Sequence, residues 1–513
     1  MRVSNWVSAL VLCAASSLTF LPPAFGADRV ELHLLSTYKT GVFDKSAAEI
    51  PAYDAGHKIL YVVNSYAGKV DILDIADPRE IKKIGEMSAA AHGTAVTSVA
   101  VHGDLVVLAV VNGQKNGKAV FFDLNGVEKG AVAVGANPDM LTFSPDGRYV
   151  VVANEGEPSP DYSNDPLGSV SVIRVDDMSV RSVGFEHLTK ADLPEGMRIG
   201  HPTASVAQDI EPEYVAISAD SKTAWVVLQE NNAIAVIDVA SAKLTKLLGL
   251  GYKDWSKLAL DASNKDGGIG FKKWPVWGMY QPDSIASYQT SGKTYLVTAN
   301  EGDARDYDGF SEEERAGKVE WDAEKWPTAD VLQEKTQLGR LKISTLSSDT
   351  DGDGDLDKLM AFGGRSFSIW NEDGTQVFDS GSDFEAITAK RLKGHFNSDN
   401  KKNDSGDSRS DDKGPEPEGV TIGKIGDKIY AFIGLERVGG VMVYEVTTPA
   451  DAKFVGYVNN RNFDGDPKKG TAGDLGPEGL AFISAASSPI GRPILAVANE
   501  VSGTTSLFEI QVK

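Results

Sequence analysis

Two arrangements of oxygen-bearing side chains in this 513-residue chain could hold a hard cation. The first is contiguous. DTDGDGDLD (349–357) places Asp349, Asp351, Asp353 and Asp357 at positions 1, 3, 5 and 9 of a loop, with Gly354 at position 6. The odd-numbered oxygens of such a loop wrap around Ca²⁺, the glycine allows the sharp turn, and position 7, here Asp355, adds its backbone carbonyl. Position 12 is Met360 where an EF-hand has Glu, and the flanks LGRLKISTL and KLMAFGG read as strands. The expectation is a calcium loop joining two strands, with no helix pair. The second arrangement is dispersed. A Pro-acid step recurs five times, at Asp139, Glu213, Asp283, Glu418 and Glu478, and the apolar run after each ends in a second acid, Glu155, Glu230, Glu301, Glu436 and Glu500.

The elements that carry these acids are repeated strands. NPDMLTFS precedes YVVVANEGE, EPEYVAIS precedes AWVVLQENN, QPDSIASY precedes YLVTANEGD, PEPEGVTIG precedes YAFIGLERVGG, and GPEGLAFIS precedes ILAVANEVSG. An alternating strand such as SVSVIRV, AIAVIDV, GVMVYEV or TSLFEIQV follows. Two degenerate units, SAAEIPAYD with ILYVVNSYAGKVDILDI and TAVTSVAVHGD with LVVLAVVNGQKNGKAVFFDL, come before them. Repeated small β units of this kind define an all-β fold, a seven-bladed β-propeller. VELHLLSTY at the N-terminal side is expected to pair with the last blade and close the ring. The polar insertions at about 250–275, 303–335 and 390–414 belong on one face.

Consecutive strands in a blade are antiparallel, so the start of one and the end of the next lie at the same end. All ten repeat acids should therefore gather around one mouth of the central channel. A ring of like charges needs neutralising cations, and oxygen-rich rings suit Ca²⁺ and similar hard metals, with a second metal possible on this face. The alternative is that each acid caps a turn by accepting backbone N–H bonds. Arg305, Arg409, Lys413 and Arg437 are the nearby basic residues, able either to pair with an acid or to hold a phosphate. His201 and His395 sit near acidic loops, but the seven His form no paired ligand pattern.

Composition narrows the function classes. With 51 Lys+Arg against 73 Asp+Glu the net charge is −22, which disfavours nucleic acid and anionic lipid and suits cationic partners, metal ions first. Residues 1–27 read as a secretory signal: Arg2, an apolar stretch from Val7 to Leu21, then small residues up to Ala27. Cys13, the sole cysteine, lies inside it, and Leu12 before it is the wrong size for lipoprotein processing. The mature chain, 28–513, is then one cysteine-free domain without disulfides, thiolate metal sites or cysteine-attached haem. With no hydrophobic tail at TTSLFEIQVK, the expectation is a periplasmic or secreted protein that leaves the membrane on signal cleavage.

The DTDGDGDLD loop followed by AFGGRSFSIW and VFDSGSDFE, then FNSDNKKNDSGDSRSDDKGPEPEGV and LERVGGVMVYE, resembles the choice-of-anchor I family, as does FSPDGRYVVVANEGEPSPDYSNDPLGSVSVIRV. The resemblance runs from about Leu34 to Phe508. It implies an exported β-propeller, related to mesenchyme-specific cell surface glycoproteins of animals with calcified skeletons and to bacterial proteins described as atypical alkaline phosphatases. It supplies no catalytic residue set, and the C-terminal anchor behind the family's name is not seen here.

Two functions follow. One is a Ca²⁺-binding propeller that recognises a cell-surface or extracellular ligand without turnover. The other is a metal-dependent phosphoesterase, in which ring-bound metal activates water and Arg305, Arg409, Lys413 or Arg437 steadies the charge on phosphorus. DSRSDDKGPEPEG is the segment richest in the required groups, and Ser408 or Ser410 could serve as a nucleophile if a base were near. A quinone- or haem-dependent oxidoreductase fits less well, because c-type haem motifs are missing and Trp does not recur in register.

Overall fold

A computed structural model describes residues 29–513; the predicted signal segment and Cys13 lie outside the described residues. Seven four-stranded antiparallel sheets contain most of the strand residues. Sheet 1 runs Pro51–Asp54, Ile59–Asn64, Lys69–Asp74, Lys82–Ser88, and sheet 2 Ala95–His102, Leu105–Asn112, Lys115–Asp123, Glu128–Ala136. Sheet 3 is Pro138–Phe143, Tyr149–Asn154, Ser169–Arg174, Val180–Gly184, and sheet 4 Pro212–Ile217, Thr223–Leu228, Ala233–Asp238, Lys243–Gly249. Sheet 5 is Ser284–Thr290, Lys293–Asn300, Ser366–Asn371, Gln376–Asp379, and sheet 6 Pro417–Ile425, Lys428–Leu435, Val441–Glu445, Lys453–Val458. Sheet 7 combines Pro477–Ile483, Ile494–Asn499 and Thr504–Val512 with Val30–Lys39 from the other end of the chain.

The first strand of each sheet packs on the first strand of the next, and that of sheet 7 packs on that of sheet 1. The sheets therefore form a closed ring about a central channel, and the fold is a β-propeller. Val30–Lys39 pairs with Thr504–Val512 from Val30↔Val512 to Lys39↔Thr504, as expected for ring closure. That pairing joins the first and last described strands in one sheet, so the ring is closed by hydrogen bonds between strands far apart in sequence.

Both faces of the middle strands are apolar because each sheet is covered by two neighbours. Each junction has its own buried cluster. Trp225 and Ile234 meet Leu296 and Trp370 between sheets 4 and 5, and Phe432 and Val443 meet Leu495 and Phe508 between sheets 6 and 7.

Three long insertions leave the ring, at 250–283, 301–365 and 380–416. Each connects strand ends that lie at the channel-mouth end of the ring, so all three emerge on one face. They differ from the expected polar loops: the first two build a cap with its own apolar core, in which Trp255, Leu260, Trp274, Trp321, Leu338, Leu341, Ile343 and Leu356 are buried. Small sheets tie it together, Tyr252–Asp254 with Trp277–Met279 and Met360–Ala361, and Glu313–Arg315 with Lys342–Ser344. A helix, Asp383–Leu392, opens the third insertion. These apolar residues are scattered among polar ones, so local periodicity does not reveal them; the cluster joins residues of the first insertion to residues of the second.

Candidate metal centre in the channel mouth

The Pro-acid step is a bulge. In sheets 3, 4, 6 and 7 the first strand pairs at its Pro (Pro138↔Asn154, Pro212↔Leu228, Pro417↔Leu435, Pro477↔Asn499), then slips before pairing again at Leu141, Val215, Val420 and Leu480. A bulge bends the strand and re-aims a side chain, which turns the acid after the Pro out of the alternating face pattern. In sheet 5 the acid, Asp283, lies one residue before the strand. The residue before the Pro has positive φ in four units: Asn137 (45°), Gln281 (43°), Glu416 (50°) and Gly476 (68°). This sharp entry lets its carbonyl accept from the second acid of the unit, Glu155 N at 2.9 Å, and Glu436 N and Glu500 N at 2.8 Å. The second acids therefore do not end their strands; Glu155, Glu301, Glu436 and Glu500 are the first residue beyond, and Glu230 the second. Asn154 and Asn300 lock the strand ends, donating to Ser171 Oγ at 3.0 Å and to Ser368 Oγ at 2.8 Å.

Through these devices the ring acids meet. Asp283, Glu301 and Glu418 each bring a carboxylate oxygen within 4.8 Å of the others, and so do Glu301, Glu416 and Glu436. Burial pushes all ten acids up from the ordinary carboxylate range, and neighbouring ring acids push most of them further. Glu213 feels Glu230, Asp283, Glu155 and Asp139; Glu418 feels Glu301, Glu478, Asp283 and Glu436; Glu478 feels Glu500 and Asp283. Some oxygens have donors: Gln229 Nε2 reaches Glu301 Oε2 at 2.9 Å and Asn400 Nδ2 reaches Glu436 Oε1 at 2.6 Å. Others are buried with no hydrogen-bond partner, namely Oε2 of Glu213, Glu230, Glu418 and Glu436. A buried, unpaired carboxylate is expensive unless it is protonated or bound to a cation.

The four candidate cations are all engaged by carboxylates. Arg305, 1% exposed, pairs with Asp209 and Glu211 and is closed to any substrate. Arg409, Lys413 and Arg437 converge on one residue that sequence reasoning missed, Glu416. Arg437 Nε lies 2.8 Å and Lys413 Nζ 3.4 Å from Glu416 Oε2, and Arg409 pairs with Oε1. Lys413 also reaches Glu301 at 3.2 Å, and Arg437 reaches Glu436 at 2.9 Å. Burial alone would raise the Glu416 carboxyl, but Arg437, Lys413 and Arg409 hold it well below the usual range. Its signal was the doubled step PEPEG, where the acid before the second Pro is also charged. Glu49 was missed too. It sits before the first strand of sheet 1, is pushed up to about 8 by burial despite a bond from Ser65, and faces Glu500 and Asp139.

The 349–357 loop corrects its expectation in two ways. A one-turn helix, Thr345–Ser348, stands between the preceding strand, Lys342–Ser344, and the loop. Its acids also form two groups. Asp349, Asp351 and Asp353 lie within 4.8 Å of one another, whereas Asp357 groups with Asp355 and Asp322. Asp357 accepts from Thr350 N at 2.5 Å and is ion-paired with Lys325, so its carboxylate is already partnered apart from the first three. Gly352 N and Gly354 N donate to Asp349 at 2.7 and 3.0 Å and set the turn, with Gly354 at φ 102°.

The hydroxyl candidates are enclosed: Ser410 is fully buried and donates to Asp407 Oδ1 at 2.7 Å, and Ser408 Oγ is buried without a partner. His201 stacks on Tyr162 at 4.6 Å and His395 on Phe463 at 4.2 Å, packing roles in both cases.

Ring and channel mouth together define a β-propeller with an acidic central site. The choice-of-anchor I domain family matches residues 49–449, and the chain belongs to that family. Among curated relatives, it is 33% identical over 195 residues to gigasin-3a of Magallana gigas, covering 35% of this chain and 67% of that one. It is 30% identical over 277 residues to the mesenchyme-specific cell surface glycoprotein of Strongylocentrotus purpuratus, covering 47% of this chain but only 35% of that one. Among solved structures, Kuenenia stuttgartiensis hydrazine synthase aligns with 92% of the chain at 14% identity and a TM-score of 0.48, and covers 99% of its own. The β-propeller domain of Myceliophteria thermophila Cps50 (Swd1) aligns with 94% at 9% identity and a TM-score of 0.46, and covers 100% of its own.

Proposed function

We propose that this protein is an exported or surface Ca²⁺-binding β-propeller, whose channel mouth holds metal on Asp283, Glu301 and Glu418 and serves binding rather than turnover. One observation carries the reading: three carboxylates from two sheets converge within 4.8 Å while Glu418, only 9% exposed, keeps Oε2 unpartnered. A hard cation satisfies both features, because Ca²⁺ takes several oxygens at once and cancels the repulsion among them. The 349–357 loop would add a second, more exposed Ca²⁺ through Asp349, Asp351 and Asp353. The surface setting rests on the leader-like 1–27 segment and on the name of the sea-urchin relative.

Binding is favoured over catalysis because Arg409, Lys413 and Arg437 already answer Glu416, Glu301 and Glu436. The phosphoesterase is the second reading, since Lys413 and Arg437 border the carboxylates that would hold the metal. In it, Ca²⁺ would bind phosphate oxygens and acidify a water. The test is Ca²⁺ titration calorimetry alongside p-nitrophenyl phosphate hydrolysis at alkaline pH, with and without chelator. Ca²⁺ binding that Glu301→Gln with Glu418→Gln weakens at least tenfold, without turnover, supports the proposal. Chelator-sensitive turnover would replace it with the phosphoesterase, and unchanged binding in that double variant would refute the channel site.

A further inference from the structure

The seam between the cap and the ring holds a cavity of about 930 Å³ that shares no residue with the channel acids or the 349–357 loop. Three stretches line it: 257–259 with 271–273 from the first insertion, 378–383 at the end of sheet 5, and 451–454 at the start of the last strand of sheet 6. Its volume lies within the roughly 300–1,000 Å³ of small-molecule sites.

The walls are aromatic and are backed from behind. Phe271 packs edge-on against Phe396 at 5.6 Å, Phe378 against Phe367 at 5.5 Å, and Phe454 edge-on against Tyr444 at 5.6 Å. Polar bonds hold the lining stretches to one another. Lys253 Nζ donates to the Gly381 carbonyl at 2.7 Å and pairs with Asp379 at 2.9 Å, and Ser382 Oγ donates to the Ala259 carbonyl. Ala259 in turn pairs with Lys273, and Leu260 with Lys272, in the short hairpin of the first insertion. The cavity is therefore formed before any ligand arrives.

Its charge is one-sided. Lys257, Lys272, Lys273 and Lys453 line it together with three acids, and each acid is already answered. Asp379 has Lys253 and the hydroxyls of Ser366 and Ser368 at 2.6 and 2.8 Å, Asp383 has the Tyr444 hydroxyl at 2.9 Å, and Asp451 has Lys453 at 3.0 Å. Lys257 pairs with Asp254 at 2.9 Å. Two lysines remain. Lys272 Nζ lies over the Trp274 ring at 5.2 Å, and among the described residues no carboxylate pairs with Lys272 or Lys273. In a chain of net charge −22, two unanswered ammonium groups beside aromatic walls favour an anion, and the low dielectric of those walls strengthens the attraction.

We propose that this cavity binds a small organic anion, a carboxylate, sulfate or phosphate carried on an aromatic or aliphatic body. Phe271, Phe378 and Phe454 take the body, and Lys272 and Lys273 take the charge. The site is separate from the channel mouth and does not depend on metal there.

The experiment titrates the full mature chain with naphthalenesulfonate by calorimetry. One probe per chain is expected. It should bind at least about tenfold more tightly than naphthalenemethanol, which keeps the rings without the charge, and than inorganic sulfate, which keeps the charge without the rings. Lys272→Gln with Lys273→Gln, both exposed positions, is expected to weaken the sulfonate by about tenfold or more. No saturable binding up to about 1 mM probe, equal affinity for the alcohol or for sulfate, or equal affinity in the variant overturns the site. Hydrogen–deuterium exchange on the parent fixes the place: the sulfonate is expected to slow amide exchange across 257–259, 271–273 and 378–383, and slowing confined to other segments overturns the proposal.

Discussion

In the 349–357 loop, three carboxylates stand within 4.8 Å because one turn holds them there, with two backbone N–H groups fastening Asp349. In the channel the same spacing is reached by Asp283, Glu301 and Glu418, which belong to two different sheets and are positioned by strand entries and strand ends. The loop acids are open to water, and Lys325 already pairs with Asp357 and lies 4.0 Å from Asp351. The channel acids are enclosed, and their nearest cations are drawn to Glu416. Proximity of carboxylates therefore means different things in the two places. At the surface, water screens it cheaply, whereas in the channel it creates a demand that a proton or a metal must meet.

The comparison can be broken by substitution. The largest effect is expected at Glu416, where one buried carboxylate answers three cations. Glu416→Ala should cost about 3–5 kcal/mol, the range for breaking a buried ion pair, measured by urea unfolding; a loss below about 1 kcal/mol would show the three cations find other partners.

Next in size is the channel metal. Glu301→Gln with Glu418→Gln should leave stability in chelator unchanged or higher, since two like charges are gone. It should erase the Ca²⁺-dependent gain, about 2.7 kcal/mol when Ca²⁺ is near 100 times its Kd. A full Ca²⁺ response in this variant, read by calorimetry, would move the metal elsewhere.

Acidity separates the regions by sign. In the metal-free protein Glu230 is pushed up to about 7 and Glu49 to about 8, against an ordinary 4.5. The folded protein then binds more protons than the unfolded chain between those limits, so stability present below about pH 4.5 is lost as pH rises toward 8. Asp357 is shifted the other way, held low by bonds from Lys325 and Thr350, so its contribution is lost only on acidification below the usual Asp range. Melting in chelator should fall from pH 5 to pH 8, and Ca²⁺ should flatten that slope. A rise over the same interval would show that the ring does not retain its protons.

The smallest effect belongs to the exposed loop. Asp351→Asn with Asp353→Asn should lower Ca²⁺-dependent stability by about 1 kcal/mol at Ca²⁺ near five times the Kd. Equal Ca²⁺ responses in variant and parent would remove the loop from the metal inventory.

Much of this was legible in the residues. The five Pro-acid steps marked the strand entries, and the strand-final acids lay within two residues of their observed places, because each device is local: a Pro, a bulge, a turn. The pairing of Val30–Lys39 with the last sheet was also legible, since a closed ring needs a final strand. The cap core was hidden, because Trp255 and Trp274 come from the first insertion and Trp321 from the second, and no periodicity links them. Glu416 was hidden for a related reason: nothing local tells a strand-entry acid that water will screen from one that three cations will surround. Asp357 fits the loop's spacing but is claimed by Lys325, which lies outside the loop.

By itself the sequence determined the repeating strand pair, the acids at each strand entry and exit, and the single loop whose glycines and aspartates make one turn. These depend on φ/ψ preference, side-chain alternation and hydrogen bonds within a few residues. Only the tertiary structure decided which acids became neighbours, which cations they captured and which oxygens were left buried without partners. Coulomb interaction and desolvation act through space, so residues far apart in the chain set each carboxylate's charge and its demand for a cation.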